Sequence, residues 1–306
     1  MPRYATRRIS KKYSKTRQRS KRATQKSRKS RTRKSGSMTR KRILNLTSRK
    51  KRDTMLIATN TTIATPGGGS TYSNVPANLG PTNTYVFPWI ATWRDNSFNA
   101  LNGQQGTTFQ AATRTATTCY MKGLKEKIAF NQSDGSQWLW RRICFTMKGN
   151  QLYSQSLTNY KFAYENTAGF GRLVNDINTT SAGQPITTAL VQLLFRGQSG
   201  VDWNNFFTAP TDNSRVTIKY DKTTDLSTGN QNGKFRVFNR WHPMNATLVY
   251  DDDESGSITA ASNASVTSKQ GMGDYYVVDM ITCASPQNSS SILTFAPEAT
   301  LYWHEK

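Results

Sequence analysis

From Asp53 onward, apolar and aromatic positions fall in short runs separated by clusters of Gly, Ser, Asn, Asp and Pro, a texture that predicts β-strands rather than long helices. The runs are Asp53–Asn60, Tyr85–Arg94, Cys119–Gln132, Trp138–Lys148, Ile186–Arg196, Arg215–Lys222, Phe235–Trp241, Ala246–Tyr250, Asp274–Ala284 and Ile292–Trp303. Pro88 marks the second run as an edge or irregular segment. Asp134-Gly135 predicts a tight hairpin joining Cys119–Gln132 to Trp138–Lys148. The run Ile186–Arg196 also fits helical spacing; a strand is expected here. Eight or more strands with few helical patterns predict an all-β fold, an antiparallel eight-stranded jelly-roll sandwich. The long stretches 95–118, 149–185 and 197–213 exceed ordinary connections, and loops of that size carry binding or assembly surfaces.

Before Asp53 this patterning vanishes. Ile9, Met38, Ile43, Leu44 and Leu46 are the only aliphatic anchors, and Tyr4 and Tyr13 the only aromatics. The organisation expected is therefore an arm, residues 1–52, joined to a folded β body, residues 53–306. Such an arm buries too little apolar surface to offset the entropy of ordering, so it is expected to be disordered when free.

Charge sharpens the division. The arm carries 23 Lys and Arg and no Asp or Glu, leaving 19 basic and 18 acidic side chains for the rest of a chain whose net charge is +24. A polycation of this kind binds a polyanion by releasing condensed counterions, without reading sequence. The candidate DNA contacts are Arg3, Arg7, Arg8, Lys11, Lys12, Lys15, Arg17, Arg19, Lys21, Arg22, Lys26, Arg28, Lys29, Arg31, Arg33 and Lys34. Arg40-Lys41-Arg42 and Arg49-Lys50-Lys51-Arg52 resemble the basic clusters read by nuclear import receptors.

Within the body, Trp138–Lys148 places Leu139, Arg141, Ile143, Phe145 and Met147 on one face and Trp138, Trp140, Arg142, Cys144, Thr146 and Lys148 on the other. The second face mixes indoles with cations. It suits either stacking on unpaired bases or packing against a neighbouring subunit or loop, so Trp138, Trp140, Arg142 and Lys148 are candidate DNA or subunit contacts. Lys125 and Lys127 share the face opposite Leu124, Ile128 and Phe130, either lining a DNA-facing wall or forming a solvated surface. Asp251-Asp252-Asp253-Glu254 offers hard oxygen donors and is a weak candidate for Ca²⁺; consecutive residues of an extended chain point apart, so a solvated turn is the simpler expectation.

Four blocks, taken together, resemble the capsid proteins of genomoviruses, small circular single-stranded DNA viruses. They are Thr47-Ser48-Arg49-Lys50-Lys51-Arg52-Asp53-Thr54-Met55-Leu56, Trp138-Leu139-Trp140-Arg141-Arg142-Ile143-Cys144-Phe145-Thr146, Arg240-Trp241-His242-Pro243-Met244-Asn245 and Tyr302-Trp303-His304-Glu305-Lys306. The blocks span nearly the whole chain. The resemblance implies a single jelly-roll subunit and a small icosahedral shell of sixty copies. It also implies an inward-facing basic arm on single-stranded DNA, and a virion whose life cycle passes through the host nucleus.

Other classes find little support. Cys119, Cys144 and Cys283 have no metal-knuckle spacing, so neither a disulfide framework nor a zinc site is expected. No phosphate-binding Gly loop, Gly-x-Ser-x-Gly or His-Glu-x-x-His occurs, so neither an enzyme nor a cofactor is expected, and His242 reads as a packed histidine. No apolar run follows the early charges and none reaches membrane-spanning length, so neither a secretory leader nor membrane insertion is expected. The alternatives are a cellular nucleic-acid-binding protein with a β-sandwich body and a glycan-binding sandwich with an incidental tail.

Overall fold

The computed structural model describes residues 38–98 and 104–306. The expectations for residues 1–37, including the arm's DNA contacts, lie outside the described residues. The chain divides into two units, 1–43 and 44–306. Arg40–Arg42 fall in a short helix α1, Arg40–Thr47.

Eight long strands build the larger unit: β1 (Arg49–Met55), β2 (Thr84–Ile90), β3 (Thr118–Gln132), β4 (Gln137–Met147), β5 (Thr217–Asp225), β6 (Phe235–Val249), β7 (Asp274–Ser285) and β8 (Leu293–Glu305). One sheet runs β1-β8-β3-β6 and the other β5-β4-β7-β2, all pairs antiparallel. This strand order defines a jelly roll: successive strands alternate between the two sheets except β4 and β5, which are neighbours in one sheet.

β8 is the clearest case of sequence dictating structure. Leu293, Phe295, Pro297, Ala299, Leu301, Trp303 and Glu305 are all buried and every intervening residue is more exposed, the period-two signature of a strand with one face on a core. Met55, Met121, Leu124, Leu301 and Trp303 meet Trp89, Cys144 and Val277 at one end of the sandwich. Ile128, Phe130 and Phe295 meet Phe87, Trp138, Trp140 and Ile281 at the other.

The outer face of the second sheet is not solvated. Val86, Ile143, Phe145, Tyr276, Val278 and Met280 pack there against Phe162, Ile186, Leu190, Leu194 and Trp203 of the β4–β5 connection. That connection supplies a third layer, and β4 is consequently buried along nearly its whole length on both faces.

Four expectations are corrected. The run expected as strand Ile186–Arg196 is helix α2, Gln184–Leu194: Pro185 opens it, and Ile186, Leu190, Val191 and Leu194 form one apolar stripe against the sheet. Asp134-Gly135 does not close a hairpin, because β3 and β4 belong to different sheets. The Asp134 carboxylate instead accepts from the Ser136 N–H at 2.9 Å and the Ser291 hydroxyl at 2.6 Å, making an inter-sheet corner. Phe235–Trp241 and Ala246–Tyr250 are one strand, β6, interrupted by a bulge at Met244-Asn245 where Asn245 takes a left-handed φ of 46°. Finally, the first strand begins at Arg49, inside the segment assigned to the arm.

Candidate nucleic-acid interface

The basic cluster Arg49–Arg52 is drawn into the sheet because β8 needs an edge partner, and it pairs from Arg49 opposite Glu305 to Met55 opposite Ala299. Pairing imposes alternation. Lys51 turns inward, where its amine meets Glu305 at 3.1 Å and donates to the Thr113 carbonyl at 2.7 Å. Lys50 and Arg52 turn outward and stay exposed. An import receptor could not read all four side chains of this cluster in the folded protein, which corrects that expectation for Lys51.

The outward face of the β1-β8-β3-β6 sheet continues this chemistry. Lys122, Lys125 and Lys127 of β3 are exposed on it, as are Tyr120 on β3 and Trp241 on β6. Register sets the neighbours: Lys50 stands opposite His304 and His304 opposite Tyr120; Arg52 opposite Tyr302; Lys125 between Trp241 and Thr300; Lys127 between Asn239 and Glu298. Trp241 lies 5.9 Å from Tyr302, and Tyr120 lies 6.0 Å from His304, centroid to centroid. Gly123 makes room for the indole, since a Cβ there would stand 2.6 Å from the Trp241 ring. Among the described residues, five cations and four rings thus share a surface on which Glu298 is the one carboxylate. The positive field registers on His304, whose pKa is pushed down by partial burial and by Lys50 and Lys122. Exposed rings that accept bases, set among cations that hold phosphates, are what sequence-tolerant single-strand binding requires.

Trp138, Trp140 and Arg142 do not join this face; they correct the expectation of a DNA or subunit contact on β4. Trp138 is completely buried and Trp140 is 1 % exposed. The Trp140 indole donates to Asp279 at 2.7 Å. Arg142 makes a two-pronged contact with Asp279, at 2.7 and 2.8 Å, and a third bond to Glu126 at 2.5 Å. Arg172 bridges the same two carboxylates, at 2.9 Å to Glu126 and 2.7 Å to Asp279. It is delivered by the short strand Arg172–Val174, which pairs in parallel with Ile57–Thr59. Two cations and two anions therefore close a neutral network between the sheets. Burial works against the charge on Asp279, but Arg142 and Arg172 hold its carboxyl below the usual range. His242 sits 3.6 Å from Glu126 and is neutral: burial, only partly opposed by Glu126, lowers its pKa to about 4. Lys148 is also spoken for, donating to the Ser268 and Gln270 carbonyls at 2.7 and 2.9 Å.

The acidic run is likewise divided. Asp252 is clamped by Arg114 at 2.6 and 2.9 Å, while Asp251, Asp253 and Glu254 are exposed. Among the described residues no cluster of His, Cys, Asp or Glu is arranged to hold a metal ion. None of the described helices is long and apolar enough to cross a membrane.

Sequence reasoning passed over Tyr120, Lys122 and Trp241 as contacts. The alternation of Phe235–Trp241 separates Trp241 from Arg240, but both faces of that run carry aromatics, so period alone does not say which one is outward.

No protein-family model and no curated protein matches the chain. Among solved structures it is weakly similar to viral capsid proteins. The unassembled VP1 pentamer of KI polyomavirus is 10 % identical over 81 % of this chain and 78 % of that one, with a TM-score of 0.11. An unassembled mutant VP1 pentamer of Washington University polyomavirus is 9 % identical over 84 % and 93 %, also with a TM-score of 0.11. A likeness at that score carries no argument, and the jelly roll is established by the strand order of the protein itself.

Proposed function

We propose that this chain is a structural capsid protein of the genomovirus kind, which assembles into a small icosahedral shell around circular single-stranded DNA and has no catalytic role. The observation that carries the reading is the partition of charge: 23 cations without an anion on residues 1–52, joined to a nearly neutral jelly roll. The chain enters that jelly roll through β1, at the edge of the sheet whose outer face is itself cationic and aromatic. Affinity in such a system comes from many weak contacts and many copies. Leaving out Lys51, which is spent on Glu305, sixty copies of residues 1–52 would supply about 1300 cations, sufficient for roughly as many phosphates, and Lys122, Lys125 and Lys127 of the sheet face add to that capacity. Nuclear import would be read from Arg40–Arg42 and the arm, with the virion and the host nucleus as the protein's locations.

The test is electron microscopy of the purified full-length protein, with nuclease digestion of any particles. Uniform shells holding nuclease-protected DNA are expected. Dispersed monomers whose added single strands remain digestible at low salt would overturn the reading in favour of a cellular nucleic-acid-binding protein.

A further inference from the structure

The two outer faces of the sandwich differ in kind. The first sheet turns exposed cations and rings outward. The second is roofed by the β4–β5 connection, and that roof holds a cavity of about 750 Å³ between α2 and residues 195–215. The volume falls in the range of small-ligand sites. One wall is aromatic: Phe195 and Trp203 are 5.2 Å apart, and Trp203 and Phe206 are 5.9 Å apart. Thr188 and Gln192, on the exposed side of α2, also line it. Trp203 is 7 % exposed, and its indole N–H is buried with no hydrogen-bond partner.

The charges around the cavity narrow the ligand. Asp202 and Asp212 line it with a single cation, Arg215. Asp202 is fixed by the Gln198 N–H at 2.7 Å, and Arg215 by the Gln192 carbonyl at 2.7 Å. Two carboxylates against one guanidinium disfavour phosphates, sulfates and sialic acids. Amides, hydroxyls and carboxylates lining one cavity with aromatic rings suit a ligand with many hydroxyls and one apolar C–H face.

We propose that this cavity binds a neutral saccharide, through C–H packing on Phe206, the half-buried ring of the aromatic wall, and hydroxyl bonds to Gln192, Thr188 and the two aspartates. The proposal extends the capsid reading: with the cationic face turned to the genome, the roof of the opposite sheet faces outward, where a shell meets host-surface glycans.

The experiment is saturation-transfer NMR on the full-length protein with maltotriose, mannotriose and triacetylchitotriose as probes, and with sialyllactose and an eight-nucleotide oligothymidine as charged controls. At least one neutral probe is expected to receive saturation at its ring protons and to quench tryptophan emission. Thr188→Ala/Gln192→Ala, which alters only the exposed side of α2, is expected to lower the signal at least fivefold. Trp203→Phe gives a second readout by removing the quench. Saturation of no neutral probe, saturation undiminished in the α2 double variant, or displacement of the neutral probe by oligothymidine would each overturn the proposal. Nuclease protection of packaged DNA, measured on the same preparations, fails independently if it is the capsid reading that is wrong.

Discussion

The aromatic–cation strip of β4 and the aromatic–cation face of β3 and β6 are made of the same residue types and live in opposite environments. On β4, Arg142 and Trp140 are sealed between the sheets and spend their polar groups on Asp279 and Glu126. On the other sheet Lys125 and Lys127 are exposed, and 47 % of Trp241 meets solvent. The difference teaches that Trp and Arg in alternation do not identify a nucleic-acid surface. What separates the two is whether acids from other strands arrive to neutralise the cations.

The comparison breaks hardest at Arg142. Arg142→Ala leaves two buried carboxylates sharing Arg172 alone, and the cost expected is about 3–5 kcal/mol of stability, read by urea denaturation. DNA binding by whatever fraction remains folded should be unchanged. A variant as stable as the parent would show that the network contributes nothing to the fold.

Acidification probes the same network through His242. Its folded pKa of about 4 lies below the unfolded value of 6.5, so the unfolded chain binds more protons between those limits. Stability should therefore be intact above pH 6.5 and fall by about 3 kcal/mol as pH drops through 4. Thermal melts of the parent should fall across this window while those of His242→Gln lose that part of the pH dependence; a parent melt independent of pH across this window would contradict the buried neutral imidazole.

The outer face should give the opposite phenotype. Trp241→Ala is expected to change stability by less than about 0.5 kcal/mol and to weaken oligothymidine binding by about 1–3 kcal/mol, the contribution of one stacked base. Fluorescence titration at fixed salt reads this. Full affinity in the variant would remove Trp241 as a platform.

The smallest effect is expected at the lysines. Lys125→Ala/Lys127→Ala should leave the melting temperature in place and lower the salt slope of single-strand binding by about 0.7 per residue. An unchanged slope would mean that these side chains meet no phosphate.

The sequence by itself determined where the positive charge is concentrated, the β body and most strand positions. Those are carried by local signals: an unbroken run of cations without acids, and period-two burial as regular as that of Leu293–Glu305. Only the tertiary structure decided which faces are covered. Trp140 and Trp241 look alike in sequence, yet Asp279, far along the chain, captures one, and no described element roofs the face that carries the other. Arg49–Arg52 belongs to a strand because β8, at the far end of the chain, requires an edge partner. Asp134-Gly135 turns the chain as its residues dictate, but the choice between a hairpin and a corner lies with the hydrogen bonds β3 makes to β6 and β8. Burial and pairing are set by segments distant in sequence, and no window of neighbouring residues contains them.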